Sequence, residues 1–212
     1  IKKFNSEGEK KEKKMSRNVF ITGASSGIGK AIAYAFGKNG DDLILCARRI
    51  GKLEEIKADI ERRFGVNVYI FELDVIKYDK VVKTVKKILE KVSKVDILVN
   101  NAGLALGLEK FQEYSIMDME IMIDTNVKGL LYVSREIIPN MVENNVGHII
   151  NMGSTAGIYA YAGAAVYCAT KAAVKFLSDG IRIDTIDKNI KVSTLQPGIV
   201  ETDFSEVRFH GD

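Results

Sequence analysis

Cysteine and histidine are scarce in this chain, with two of each among 212 residues. Cys46 and Cys168 form no CxxC pair and no metal-ligand spacing, which excludes a disulfide framework, and both fall in core-like stretches that favour reduced thiols. His148 and His210 lie far apart in sequence; His148 opens a strand-like stretch where a structural role is expected, and no metal is needed. No uninterrupted apolar run approaches the ~20 residues of a membrane helix, and no secretory leader is visible, so no membrane is expected and the cytoplasm is the expected compartment. Charge of one sign is also lacking. The net +3 lies wholly in residues 1–14, "IKKFNSEGEKKEKK", whose six Lys and three Glu leave the rest balanced. Nucleic acid is therefore not an expected partner. Residues 1–14 are expected to be a disordered charged extension, with Met15 as the natural start and residues 15–212 as one domain.

What is present is an ordinary globular balance, 46% apolar and 28% charged, arranged in a repeating order. Short β-branched, apolar stretches are predicted strands at 18–22, 42–46, 67–73, 96–100, 148–152 and 191–195; being apolar nearly throughout, they suit burial on both faces. Between them lie segments of helical period. In "KVVKTVKKILEKV", Val81, Val82, Val85, Ile88, Leu89 and Val92 share one stripe with lysines opposite, and 118–138 and 164–186 read as two longer helices. Strand-helix alternation repeated this often predicts a single-domain α/β fold. A doubly wound parallel sheet (Rossmann-type) carries helices on both faces and its ligand site at the carboxyl ends of the strands.

The first strand runs straight into "TGASSGIG" and then a helical segment. Gly23, Gly27 and Gly29 allow a tight turn and close approach of a pyrophosphate to the backbone. Ala24, Ser25, Ser26 and Ile28 complete the loop, and the amides and positive dipole end of the following helix would hold phosphates.

The spacing GxxxGxG, together with "LDV" (73–75), "NNAG" (100–103), "TNVKG" (125–129), "GSTAG" (153–157), "YCATK" (167–171) and "PGIVET" (197–202), resembles the short-chain dehydrogenase/reductase family from about Asn18 onward. The resemblance implies that Asp74 and Val75 border an adenine, that Asn101, Ala102 and Gly103 line the adenosine side, and that Pro197, Gly198, Val200 and Thr202 cover a nicotinamide.

Strand two ends in "CARR". An NAD site would offer a carboxylate to the ribose 2′-hydroxyl here, whereas Arg48 and Arg49 suit a 2′-phosphate, since guanidiniums are permanently charged and can bind it bidentately. NADP is the expected cofactor.

Tyr167 and Lys171 stand four apart on a predicted helix and so share a face. An unaided phenol, with a pKa of ~10, is a poor base, and the ammonium is expected to lower that value. Ser154, just past a strand, is placed to donate to a substrate oxygen as charge develops there. The resemblance implies a catalytic tetrad of Asn126, Ser154, Tyr167 and Lys171, with Lys171 also holding the nicotinamide ribose and Asn126 positioning a water behind it.

Within the family, "NNAGLALG", "MIDTNVKGL" and "VRFHGD" look most like NADP-dependent 3-hydroxy acid (serine) dehydrogenases, which implies a small substrate such as serine or 3-hydroxypropionate. Arg208 is the expected partner of its carboxylate. A reductase of other ketones or 3-ketoacyl groups and a non-catalytic NADPH-binding regulator are the alternatives. Relatives continue past the position of Asp212, so the domain is expected to be incomplete at its C-terminus; a homo-oligomer, dimer or tetramer, is expected.

Overall fold

The computed structural model describes residues 16–200 and Arg208. Six strands, β1 (Asn18–Thr22), β2 (Asp42–Ala47), β3 (Val68–Glu72), β4 (Ile97–Asn100), β5 (Gly147–Met152) and β6 (Ile190–Leu195), form one sheet in the order β3-β2-β1-β4-β5-β6. Every pairing is parallel, with Phe20 opposite Ile44 and Leu98, and Val99 opposite Ile150. The helices are α1 (Gly27–Lys38), α2 (Ile50–Phe64), α3 (Tyr78–Val92), α4 (Ile116–Ile123), α5 (Gly129–Glu143) and α6 (Ala165–Asp184).

Successive side chains of each strand point to opposite faces, and both faces are covered. Val19, Ile21, Leu43, Leu45 and Val99 meet Ala33, Leu53, Ile56 and Ile60 of α1 and α2. Phe20, Ile44, Leu98 and Ile149 meet Val81, Val85 and Ile88 of α3 and Val133, Ile137 and Met141 of α5. The expected α3 stripe holds except at Val82, which is exposed.

The stretch expected as one helix at 118–138 runs longer and is interrupted. Ser115 caps α4 by accepting from Asp118 N, a widened π turn follows over Asp124–Lys128, and α5 continues through Pro139 to Glu143. The proline does not end the helix because the residues beyond it are anchored. Asn140 accepts from Val95 N and donates to Ser93 O, both at 3.0 Å, and Met141 is fully buried. Tertiary contacts outweigh the local preference here.

A buried polar chain crosses under the carboxyl ends of the sheet. Asn100 Nδ2 donates to Ser134 Oγ and to Asn151 Oδ1, and Asn151 Nδ2 donates to Ser178 Oγ, each at 2.9 Å. Ser178 passes its own proton to Val174 O, so α5, β4, β5 and α6 are joined in fixed register. Asn151→Ala strands the partners on both sides without solvent and is expected to lower the unfolding free energy by about 2–4 kcal/mol. Urea unfolding is the measurement, and a loss below about 1 kcal/mol would show the chain to be energetically idle.

Candidate active site

The strand order reverses between β1 and β4, and the loops that leave their carboxyl ends part to form a crevice. The glycine turn forms one wall. Gly23 has φ +64° and a Cβ there would sit 2.9 Å from the Ala102 Cα, so the turn and the "NNAG" loop approach as closely as glycine permits. Ala24 is buried and donates to Cys46 O at 3.2 Å, while Ser25, Ser26, Gly27 and Ile28 are half-buried along the crevice and Gly29 is packed beneath them.

Thr22 and Asn101 lock this wall to β4. Asn101 N and Ala102 N both donate to Thr22 Oγ1 at 3.1 Å, and Asn101 Nδ2 donates to Thr22 O and Gly23 O at 3.0 Å. Both amide hydrogens of Asn101 are thus spent on the turn. The sequence reading missed Thr22, although a hydroxyl directly before the first glycine was the visible signal.

Whether the turn suits a dinucleotide can be judged from its chemistry. Ser26 begins α1 without spending its hydroxyl as a cap, and the first turn holds no acidic residue, so the amides and dipole end meet no competing anion. Arg48 and Arg49 are exposed at the end of β2, and Arg49 Nη2 donates to Ser26 Oγ at 2.9 Å and Ser25 Oγ at 3.3 Å. A guanidinium and two hydroxyls beside a helix N-terminus are a donor set for phosphate oxygens, and a phosphorylated ribose fits them. Asp74 is half-buried, its carboxylate accepting weakly from Ile76 N at 3.4 Å, and Val75 is buried against Gly129.

The opposite wall carries the reacting groups. Ser154 follows β5 and opens a single helical turn, its Oγ accepting from Ala156 N at 3.1 Å and hydrogen-bonded to the Tyr167 hydroxyl. Tyr167 and Lys171 lie on the buried face of α6, the ammonium 5.8 Å from the phenol ring centre. Asn126 sits in the π turn, a widening that often marks functional sites. Its side chain accepts from Leu104 N and donates to Leu104 O, both at 2.8 Å, and to Thr170 Oγ1 at 3.0 Å. Gly103 packs against Asn126 and Lys171, since a Cβ on it would lie 3.1 Å from Asn126 Oδ1 and 3.4 Å from Lys171 Nζ.

The electrostatics depart from the sequence expectation. Lys171 Nζ donates to Met152 O at 2.9 Å, and burial pulls its pKa down to about 8. The Tyr167 phenol is raised, not lowered: burial dominates, while the Ser154 hydrogen bond and the Arg208 charge act in the other direction. Desolvation penalises both charged forms, and the ammonium is turned toward a carbonyl.

The residues just after β6 border the site. Pro197 O accepts from Thr155 N at 3.1 Å, holding that segment beside Ser154, while Gly198 and Val200 are exposed and Thr202 lies outside the described residues. Arg208 comes over the same wall, its guanidinium 5.6 Å from the Tyr161 ring centre and 5.8 Å from that of Tyr167. Its Nη1 donates to Tyr161 Oη at 3.0 Å, and its Nη2 is buried with no hydrogen-bond partner among the described residues. Structure adds Tyr161 to the expected residues; nothing in the sequence singled it out. Among the described residues, no group of His, Cys, Asp and Glu is clustered for a metal, and no helix is long and apolar enough to cross a membrane.

The buried ammonium has a measurable signature. Between about pH 8 and the ordinary lysine value of 10.5, the unfolded chain holds a proton at this position that the folded chain has lost. Stability therefore rises with pH through that window. Measured against Lys171→Met, the unfolding free energy is expected to climb by up to about 3 kcal/mol across it. A difference that stays flat would show the ammonium to be solvated.

Known proteins share this arrangement. A family model for short chain dehydrogenases matches residues 17–211. The NADP-dependent 3-hydroxy acid dehydrogenase of Schizosaccharomyces pombe is 42% identical over 197 residues, covering 92% of this chain and 76% of that protein. The sulfoacetaldehyde reductase of Chromohalobacter salexigens is 42% identical over 199 residues, covering 93% and 78%. A closed form of serine dehydrogenase complexed with NADP+ superposes with a TM-score of 0.87 at 44% identity, covering 92% of this chain and 77% of that one. With the glycine turn, the parallel sheet and the family model agreeing over nearly its whole length, the chain belongs to the short chain dehydrogenase family.

Proposed function

We propose that this short chain dehydrogenase, NADP-dependent and acting on a CH–OH group, interconverts a short 3-hydroxy acid, such as serine or 3-hydroxypropionate, and its carbonyl counterpart. The reading rests on one observation above all: Ser154, Tyr167 and Lys171 converge on one wall of the crevice whose other wall is the glycine turn. The cofactor, when bound, supplies or accepts the hydride at the substrate carbon. Ser25, Ser26, Arg48 and Arg49 with the turn 23–29 would hold its phosphates.

Tyr167 acts as the acid in reduction and as the base in oxidation. Its raised pKa keeps the phenol protonated at neutral pH, the form that gives a proton to a carbonyl oxygen. Ser154 has its oxygen lone pair engaged by Ala156 N, so its own proton is available to the substrate oxygen or to a developing phenolate. Lys171 stands behind the phenol, and Asn126 fixes the Leu104 backbone and α6 around it.

Arg208 supports an anionic substrate. A buried Nη2 without a partner among the described residues, next to the Tyr167 ring, is costly unless an acceptor arrives, and a carboxylate satisfies it. Relatives named for a 3-hydroxy acid and for sulfoacetaldehyde both act on compounds with an acid group near the reacting carbon.

Following NADPH absorbance with 3-hydroxypropionate, serine and a sulfonate analogue tests this reading. Tyr167→Phe is expected to lower kcat by about 10²–10⁴ while NADPH binding persists. Arg208→Ala is expected to raise KM for the acids by about tenfold or more. Turnover restricted to uncharged ketones would overturn the substrate assignment, and cofactor binding without any turnover would replace it with a sensor.

The oligomeric state is proposed as dimer or tetramer. Phe111, before α4, and Ile123 of α4 line an apolar groove with Val166, Ala169 and Ala173 of α6, and Ile116, Met117 and Phe176 on the same two helices are exposed, Ile116 by 68% and Phe176 by 72%. A surface of this kind is normally covered. Light scattering on the eluting protein is expected to give at least twice the chain mass, and a monomer at micromolar concentration would refute it.

A further inference from the structure

Arg208 is 101 positions from Gly107, yet Gly107 spends both of its backbone groups on it. Gly107 N donates to Arg208 O at 2.9 Å, and Arg208 Nε donates to Gly107 O at 3.1 Å. Gly107 itself adopts φ +64°, and a Cβ there would run into the Glu109 carboxylate. The guanidinium is thus held by the carbonyl of the Gly107–Leu108 peptide, and the Arg208 carbonyl by the N–H of the Leu106–Gly107 peptide in the β4–α4 connection.

That peptide is in turn held by side chains. Leu106 is 6% exposed, its carbonyl accepts from the Tyr114 hydroxyl, and its N–H is 3.5 Å from Met122 Sδ. Tyr114, also 6% exposed, belongs to a small satellite core with Leu106, Met122, Ala156 and Tyr167, separate from the two cores that flank the sheet. Burial raises the Tyr114 phenol, so it remains a donor through the working pH range. A chain of fixed contacts therefore runs from Tyr114 through the Leu106–Gly107 peptide to Arg208, and from Arg208 to the ring of Tyr167.

We infer that Tyr114 is a positioning residue for the acid group of the substrate, acting through the Leu106–Gly107 peptide on Arg208. The inference rests on the proposed role of Arg208. Tyr114 touches neither the reacting carbon nor its oxygen. Loss of its hydroxyl leaves a buried carbonyl without this donor and frees the Leu106–Gly107 peptide to rotate; the Arg208 carbonyl bonded to that peptide shifts, and with it the adjoining Gly107 carbonyl that holds Arg208 Nε. Phenylalanine keeps the volume of the satellite core.

Tyr114→Phe, Arg208→Ala and the double variant, made in the full chain, separate the possibilities. Steady-state kinetics with 3-hydroxypropionate give KM and kcat, NADPH fluorescence gives the cofactor Kd, and urea midpoints confirm that each variant folds. Titration of 3-hydroxypropionate into the NADPH complex, where the reduced cofactor cannot accept a hydride, provides its affinity independently of turnover. Tyr114→Phe is expected to raise KM and this Kd by about five- to twentyfold, with kcat within about twofold and the NADPH Kd unchanged. In the Arg208→Ala background the same change is expected to add less than about twofold, because its route to the substrate is gone. An equal increment in both backgrounds, an unchanged KM in Tyr114→Phe, or a matching loss of NADPH affinity would overturn the inference. If Arg208→Ala leaves KM and Kd unmoved, the carboxylate reading itself fails; if Arg208→Ala weakens binding and Tyr114→Phe does not, only the positioning role fails.

Discussion

The hydrogen bond from the Lys171 ammonium to the Met152 carbonyl ties the reacting helix to the reacting strand. It spans from the second turn of α6 to the last residue of β5, two positions before Ser154. Burying that ammonium costs free energy, as its depressed pKa records. The cost is sustained by what lies beneath: Asn151 neighbours Met152 and reaches Ser178, two helical turns beyond Lys171 on the same face of α6. A polar chain with few degrees of freedom thus holds a charged group where water has been largely removed, and the phenol and hydroxyl of the site inherit their placement from it.

Stability and chemistry are carried by different parts of the molecule. The two large cores on either side of the sheet are aliphatic and aromatic, with no need for specific polar partners. The satellite core under the crevice is different: it includes Tyr167 itself, Tyr114 and Cys168, and borders on the Asn126 contacts with Leu104 and Thr170. A sheet-and-helix frame of this kind leaves the loops at the strand ends free to specialise.

Much of this was legible in the sequence because it depends on local pattern. The six strands announced themselves by short β-branched, apolar runs, and no observed limit differs from the expected one by more than a single residue. The i, i+4 spacing placed Tyr167 and Lys171 on one face, and the glycines marked the turn at the first crossover. What the sequence could not convey is direction and dielectric. The helical spacing says nothing about whether Lys171 turns toward a phenol or toward the carbonyl of Met152, and burial, a property of the assembled core, reversed the sign expected for Tyr167. Asn101 and Thr22 are separated by 79 positions and Gly107 and Arg208 by 101, so their bonds exist only once the sheet has ordered its strands. The run of α5 past residue 138 and through Pro139 has the same origin: Asn140 finds its partners in the loop after α3.

The strand order has a consequence for how the chain acquires its shape. β1, synthesised before the other five strands of the sheet, ends in its middle with β2 on one side and β4 on the other. Its first neighbour arrives about twenty residues later, but the second must wait until Ile97 has been synthesised. During that interval the exposed edge of β1 is a hydrophobic ribbon, and parallel pairing offers no tight hairpin to shield it. The β1-α1-β2-α2-β3 unit therefore keeps one flank of β1 open to mispairing until the roughly 25 residues from Glu72 to Ile97 have been added.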